Sequence, residues 1–194
     1  MTVPIPECLS HLPVQAGLAV PVVALRRGDR YLISVNHVRR AEECIAQGRC
    51  GICGRRLSSR AVVLTAQPDL THATDPANHP ECVAYAVQAC PMLNGRQTRY
   101  RDQGAGHIAG SCDLPGCECG GYAIAAGPQH TGEPAPARWY AVRLARYSRA
   151  VDEHGKPFGI AWDLDNVLAM REVPRLNNLD QPTVDSEQET QSSQ

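Results

Sequence analysis

Two short motifs of this chain have the spacing of a tetrahedral metal site. The first contains Cys50 and Cys53, with two residues between them, and the second, after 25 intervening residues, contains His79 and Cys82. Zn²⁺ prefers four nitrogen or sulfur ligands, and two residues between ligands allow one tight turn to supply both. The sequence therefore predicts one zinc ion held by Cys50, Cys53, His79 and Cys82.

The elements expected around these motifs indicate the type of site. Glycines beside both cysteines of the first motif suit a tight knuckle. Pro80 is expected as the first residue of a helix that continues to about Ala89, which puts Cys82 in the first turn, where a thiolate is favoured. A knuckle, a strand pair and a helix that donates the last two ligands form a treble clef. Four protein ligands leave no open position, so we expect a structural zinc.

A second group of cysteines lies in a stretch rich in glycine and proline. A second zinc ion could be held there by Cys112, Cys117, Cys119 and His130, with His107 as another candidate for the fourth ligand. Free thiols in a loop are the alternative. Cys8, Cys44 and Cys90 have no predicted ligand role, and the last two are expected as small core residues.

The second motif also partly matches the motifs of zinc enzymes. His79, Pro80 and Glu81 match the H-x-E of zinc deaminases, but the P-C-x-x-C partner is missing because Cys117 and Cys119 are too close together. A zinc-dependent hydrolase or nuclease would need an open metal position and an acid–base residue such as Glu81 or His72. This enzyme class is the alternative to a binding protein.

Composition explains why metal would be needed. The chain has 194 residues, nine cysteines, one phenylalanine and a net charge of -1. Val, Leu, Ile and Phe make up only about 20% of it, near the level at which burial struggles to offset chain entropy. A structural zinc contributes on the order of 10 kcal/mol of apparent folding free energy. With no apolar run of ~20 residues and no convincing signal peptide, a cytoplasmic protein without a membrane partner is expected.

Arginines are concentrated around the first motif. Between Arg26 and Arg60 there are nine arginines and three acidic residues. Such a local excess could bind nucleic acid, although a solvated basic surface or a host-protein interface is equally compatible with it. The predicted phosphate contacts are Arg39, Arg40, Arg49, Arg55, Arg56 and Arg60.

The expected architecture is a small zinc-stabilised α+β domain over residues 1–176, with a treble-clef-like core, β-hairpins and short helices, followed by a disordered acidic tail at 177–194. Residues 1–17 are expected as an irregular lead-in, 19–25 and 31–35 as a hairpin, and 37–47 as a helix capped by Asn36 and ended by Gly48. A strand is predicted at 61–64 and a loop at 67–78. One long strand is predicted at 138–151, its partner at 158–162, and a short helix capped by Asp163 extends to Met170.

Several segments together resemble a group of proteins from actinobacteria and their phages. The similarity lies in residues 48–54, 79–86, 89–91, 115–119, 132–140 and 152–157, and it extends over roughly 15–175. It implies a phage-related or mobile-element setting and supplies no catalytic residues. The predicted function is a zinc-stabilised binding or regulatory protein that engages nucleic acid or a host protein.

Overall fold

The computed structural model describes residues 3–58, 60–67, 71–100 and 132–175. Within these ranges the chain is a small α+β protein with two helices, α1 (Val38–Gln47) and α2 (Pro80–Ala89). Neither helix is long and apolar enough to cross a membrane. The strands are β1 (Val14–Gln15), β2 (Leu18–Ala19), β3 (Ala24–Arg27), β4 (Arg30–Asn36), β5 (Ala61–Thr65), β6 (His72–Ala73), β7 (Tyr140–Leu144), β8 (Ser148–Val151), β9 (Pro157–Ala161) and β10 (Val167–Glu172).

All strand pairs among the described residues are antiparallel. The two larger sheets have three strands each, in the orders β10-β7-β5 and β6-β9-β8, while β1 pairs with β2 and β3 with β4. Helix α1 packs against β9. Small sheets of this kind need further packing to be stable, and clusters of buried apolar side chains provide it.

The first apolar cluster contains the cysteines of the predicted zinc site. It joins the N-terminal segment to α2, and its buried members are Leu9, Leu12, Ala19, Cys50, Cys53, Cys82, Tyr85 and Ala89. The second cluster lies between the two three-stranded sheets and has no cysteine; its buried members are Ile45, Ala61, Val63, Ala77, Val142, Leu144, Ile160 and Trp162. A third, smaller cluster contains Val23, Ala41 and Cys44. The described part of the chain thus divides its few apolar side chains among three small cores.

Two of the three predicted helices, those that correspond to α1 and α2, and the first hairpin are confirmed, with shifted ends. Helix α1 buries Ala41, Cys44 and Ile45 on one face and ends at Gly48, which adopts the left-handed conformation with φ 61°. The hairpin of β3 and β4 turns at Gly28. Its first strand begins at Ala24, five residues later than predicted. Residues 20–23 of the predicted strand lie outside the ladder.

Four other predictions are wrong. Asn36 is not the helix cap, because it ends β4 and its side chain donates to Asp75, so His37 precedes the helix. The loop predicted at 67–78 contains the short strand β6, which pairs with β9. The strand predicted at 138–151 is two strands, since β7 and β8 belong to different sheets. The helix predicted at 163–170 is a 3-10 turn followed by β10, because pairing with β7 overrides the local helix signal.

Candidate metal centre

Four side chains of the two motifs converge in the structure. One potential ligand atom from each of Cys50, Cys53, His79 and Cys82 lies within 4.8 Å of the other three. Cys50 and Cys82 are fully buried, Cys53 is 3% exposed, and His79 is partly exposed. This metal cluster, as we call these four residues, is the one Cys/His/Asp/Glu group with such geometry in the described part of the chain.

The knuckle is positioned by the end of α1. The Gly48 turn lets the Arg49 N–H donate to the Cys44 carbonyl at 2.7 Å, which closes the helix and directs the chain into Cys50. The Gly54 N–H then donates to the Cys50 carbonyl at 2.9 Å, and the Cys53 N–H lies 3.5 Å from the Cys50 Sγ. Local hydrogen bonds therefore fold both cysteines back toward one point.

The other two ligands come from the start of α2. His79 is the extended residue before the helix, and Cys82 is the third residue within it. The Nδ1 atom of His79 lies 3.3 Å from the Cys53 Sγ, while its Nε2 lies 3.0 Å from the Arg56 carbonyl oxygen. Because a carbonyl only accepts hydrogen bonds, Nε2 carries the proton and Nδ1 keeps a free lone pair toward the cluster.

Asn78 is a residue at this site that sequence reasoning missed. Its backbone exchanges two hydrogen bonds of 2.8 Å with Val62, and its side-chain Oδ1 lies 3.6 Å from the Cys50 Sγ. Asn78 and Val62 form an isolated antiparallel bridge that connects β5 to the start of α2. The ladder partner of β5 is β7, and that of β6 is β9. The strand pair expected between knuckle and helix is thus reduced to this bridge.

The three thiols share their protons unequally. A hydrogen bond from the Cys82 thiol, with support from backbone N–H groups, lowers the pKa of Cys50 to about 5, and the same hydrogen bond raises the pKa of Cys82. Burial raises the pKa of Cys53. The shared hydrogen bond therefore favours the thiolate form at Cys50 over Cys82. This set of three cysteines and one histidine could bind a divalent ion and suits Zn²⁺, which favours thiolate and imidazole in tetrahedral geometry.

The N-terminal segment forms a layer over the cluster that local sequence patterns do not predict. His11 Nε2 donates to the Cys53 carbonyl at 3.0 Å, and the Val22 N–H donates to the Ile52 carbonyl at 2.9 Å. The sequence predicts an irregular lead-in at residues 1–17, yet Leu9 is fully buried against the cysteines.

The remaining cysteines fall into three groups. Cys44 is buried on α1, its thiol donates weakly to the Cys50 carbonyl at 3.9 Å, and burial raises its pKa to about 11. Cys8 and Cys90 are partly exposed and stand outside the metal cluster. The residues predicted for a second zinc lie outside the described residues; they are Cys112, Cys117, Cys119 and His130, with His107 as the alternative.

The predicted arginine contacts separate into two groups. Arg49 and Arg56 are partners in an antiparallel bridge that flanks the knuckle, and together with Arg55 we call them the knuckle arginines. All three are exposed, as is Arg60 just before β5. Arg39 and Arg40 lie on the first turn of α1, about 10 to 12 Å from its other end by helical rise. Arg40 is half-buried and donates to the Ala24 carbonyl at 3.2 Å.

Two features bear on the alternative that the metal cluster is the active site of an enzyme. Glu81 and His72 are exposed on α2 and β6, and neither belongs to the metal cluster. A groove of about 590 Å³ opens between the end of α1 and β8, lined by residues such as Ile45, Tyr147 and Arg149. No metal-cluster residue lines this groove in the part of the chain that the structure describes.

No family model, no curated protein and no solved structure matches the chain.

Proposed function

We propose that this protein is a non-enzymatic binding module in which the metal cluster holds one structural Zn²⁺ and the knuckle arginines contact nucleic acid. The zinc centre is of treble-clef type, with the knuckle and the start of α2 as its two halves. The resemblance to actinobacterial and phage proteins supports a phage-related or mobile-element setting.

The donor set supports a structural role for the ion. Four protein ligands complete the tetrahedral preference of Zn²⁺ and leave no position for a reacting water. Three of these ligands are buried in the first apolar cluster, against Leu9 and Tyr85. Loss of the ion would leave that small core without its central attachment. A closed, buried site of this kind stabilises a surface and does not supply an open coordination position for catalysis.

The observation that carries the nucleic-acid proposal is the position of Arg55 and Arg56. Both side chains are exposed, and neither has an ion-pair or hydrogen-bond partner among the described residues. Their backbone is held by the site itself, since the Arg56 carbonyl accepts from His79 and the Arg55 carbonyl accepts from the Cys50 N–H. A zinc ion at the metal cluster would thus hold in place the loop that presents these two exposed guanidinium groups.

The surface favours contacts with the phosphate backbone over stacking on bases. Proteins that bind single strands stack bases on exposed aromatic rings, and Phe158 is the sole exposed aromatic residue in the described ranges. Arginine contacts to phosphate need no such platform, and each one displaces counterions. Duplex DNA is therefore the first probe.

The test compares the Arg55→Ala/Arg56→Ala variant with a control of equal charge change. Arg143→Ala/Arg171→Ala serves as control because both arginines are exposed on the three-stranded sheet, on one face. Fluorescence anisotropy with a labelled duplex, measured over a series of salt concentrations, should show affinity falling by on the order of tenfold for the knuckle variant, and its log–log salt slope falling by about 1 to 2.

The same titration separates the competing functions. Equal loss in the control and knuckle variants, or no binding to duplex DNA or RNA, contradicts the nucleic-acid proposal and favours a protein partner. Cleavage of the duplex by the zinc-loaded chain, abolished in Glu81→Gln or His72→Ala, would instead establish the hydrolase or nuclease reading.

A further inference from the structure

We propose that the groove between the end of α1 and the β8–β9 hairpin, called the ligand groove below, binds one nucleotide through donors from Arg149 and Tyr147. Two sources supply this chemistry: a free nucleoside monophosphate, and an unpaired nucleotide of a nucleic acid that is bound at the knuckle. The ligand groove does not use the knuckle arginines, so the inference goes beyond the proposed function and can be tested without it.

The shape of the ligand groove suits a small organic ligand. Its volume is about 590 Å³, within the ~300–1,000 Å³ typical of ligand pockets. One wall is the last turn of α1, with Ala46 exposed and Ile45 buried, and the other is the hairpin, with Val151 and Pro157. Val151 is 52% exposed, although it is apolar. Apolar walls on two sides favour a compact ring system, because the ring would remove these surfaces from water.

Two hydrogen-bond donors in the ligand groove are available to an anion. One N–H of Arg149 donates to the Ala46 carbonyl at 3.3 Å, and its other N–H groups have no partner among the described residues. The Tyr147 hydroxyl has no hydrogen-bond partner within those ranges either, and a Cβ added at Gly48, another groove residue, would lie 3.9 Å from it. A guanidinium and a hydroxyl together match the oxygens of a phosphate group.

The electrostatics at this end of α1 are compatible with a bound anion. The last carbonyls of a helix would repel an anion if they were unpaired. Here the Ala46 carbonyl accepts from Arg149, and the Gly48 N–H caps the two carbonyls before it. Arg149 is the one charged residue that lines the ligand groove in the described part of the chain. The charge of the site is therefore complementary to a phosphate.

The position of the ligand groove favours a nucleotide over other organic anions. Exposure alone does not distinguish Arg149, since Arg143 and Arg171 are exposed as well, but those two do not line the groove. The Gly48 carbonyl accepts from the Leu57 N–H at 2.9 Å, and Leu57 directly follows the knuckle arginines in the chain. The backbone of the proposed nucleic-acid surface thus runs beside the groove.

Titrations of the zinc-loaded, full-length protein test the site without nucleic acid. The probe is adenosine 5′-monophosphate, and adenosine and inorganic phosphate represent its two halves. NMR chemical shifts should show saturable binding of the monophosphate. Each half should bind at least about tenfold more weakly, because it leaves part of the groove unfilled. Absence of monophosphate binding, or equally tight binding of adenosine, contradicts the inference.

Four variants locate the bound probe. Arg149→Gln should weaken monophosphate binding about tenfold, because a charge-assisted contact is lost, and Tyr147→Phe about threefold. Ala46→Leu should block the groove, whereas Ala84→Leu, the same change at an exposed position of α2, should bind as the parent does. Circular dichroism and zinc content identify any variant that does not fold. Unchanged affinity in folded Arg149→Gln or Ala46→Leu places the probe elsewhere and contradicts the inference.

A duplex DNA with one unpaired 3′ nucleotide, compared with its blunt counterpart, identifies the source. For a nucleotide that belongs to the nucleic acid, the overhang should improve binding about tenfold, and Ala46→Leu should abolish the gain while Ala84→Leu keeps it. Monophosphate binding without a gain from the overhang supports the site for the free nucleotide.

The Arg55→Ala/Arg56→Ala variant separates this inference from the proposed function. It should bind the monophosphate with the parent's affinity, because the knuckle arginines do not line the ligand groove. If the monophosphate binds and the duplex never does, the proposed function fails alone. If duplex binding depends on Arg55 and Arg56 but the monophosphate does not bind, the ligand-groove inference fails alone.

Discussion

His79 hydrogen-bonds through Nε2 to the backbone carbonyl of Arg56 at 3.0 Å while its Nδ1 faces the cysteine sulfurs. The residue that orients the imidazole is thus the same residue whose side chain projects into solvent at the knuckle. One backbone group serves the metal centre, and the side chain on the same residue is free for a partner. Substitution of the Arg56 side chain leaves the carbonyl in place, so the two roles can be tested separately.

The first prediction concerns the imidazole ligand. His79→Cys should keep a zinc ion in a site of four thiolates, whereas His79→Ala should lower zinc affinity by more than about 100-fold, since loss of a ligand costs more than loss of an outer hydrogen bond. Competition with a chromophoric chelator measures both. Arg56→Ala is the matched control and should retain the parent's zinc affinity.

The tautomer of His79 can be tested separately. NMR of the zinc-loaded parent should show the Nε2–H tautomer of His79, and the Nδ1–H tautomer would contradict the assignment.

The second prediction concerns the thiol ligands and stability. Cys82→Ser should lose bound zinc and several kcal/mol of unfolding free energy, a large share of the ~5–15 kcal/mol typical of domains. Cys90→Ser is the control, because Cys90 is partly exposed and lies outside the metal cluster. Zinc content by mass spectrometry and urea unfolding followed by circular dichroism give the two readouts. A loss of stability in Cys82→Ser with the zinc content unchanged would show that Cys82 contributes as a core residue and not as a ligand.

The parts of the fold that the sequence predicts well depend on short-range signals. Gly48 ends α1 because the left-handed conformation costs glycine little, and Pro80 starts α2 because the first helical position needs no N–H donor. The spacing of Cys50 and Cys53 similarly depends on one turn. Their positions could be predicted because each depends on only a few neighbouring residues.

The parts that the sequence did not predict depend on distant partners. β7 and β8 are continuous in hydrophobic pattern, but they belong to different sheets because β5 pairs with one and β9 with the other. The same holds for β10, whose local sequence is compatible with a helix until β7 supplies a ladder. Asn78 and His11 touch the site through residues that are distant in the chain, which no local spacing records.

The third prediction concerns the turn that closes the knuckle. Gly54 has φ 73°, and an added Cβ would lie 3.1 Å from the Val22 Cγ1. Gly28 has a similar φ of 62°, but an added Cβ there would meet nothing within 4 Å. Gly28→Ala therefore reports backbone strain alone, about 1 kcal/mol, and Gly54→Ala should cost about 1 kcal/mol more in urea unfolding of the zinc-loaded protein. The extra cost should disappear in a Val22→Ala background, and its persistence there would exclude the contact as the cause.

The fourth prediction concerns thiol reactivity in the zinc-loaded protein. The thiolate is the reactive form, and burial raises the pKa of Cys44 to about 11, so almost none of it is ionised at about pH 7.5. Iodoacetamide should modify Cys8 and Cys90, which are partly exposed, well before Cys44. Peptide mass spectrometry over a time course gives the order of modification. Early alkylation of Cys44 would mean that α1 opens readily at its buried face.

The last prediction concerns the protons that metal binding displaces. The hydrogen bond from Cys82 lowers the pKa of Cys50 to about 5, while the pKa values of Cys53 and Cys82 are raised. We therefore expect one ionised sulfur and two protonated ones at about pH 7.5 before the ion binds. Binding of Zn²⁺ requires thiolates and should release about two protons per ion. Zinc affinity should then fall about 100-fold for each pH unit that the pH is lowered near pH 7, because protons compete with the ion. It should fall more steeply below about pH 5, where Cys50 also takes a proton.

Calorimetric titrations with zinc in two buffers of different ionisation enthalpy count the protons that are released. A release of three would show that Cys50 is protonated before the ion arrives, and that the hydrogen bond from Cys82 does not hold in the metal-free chain.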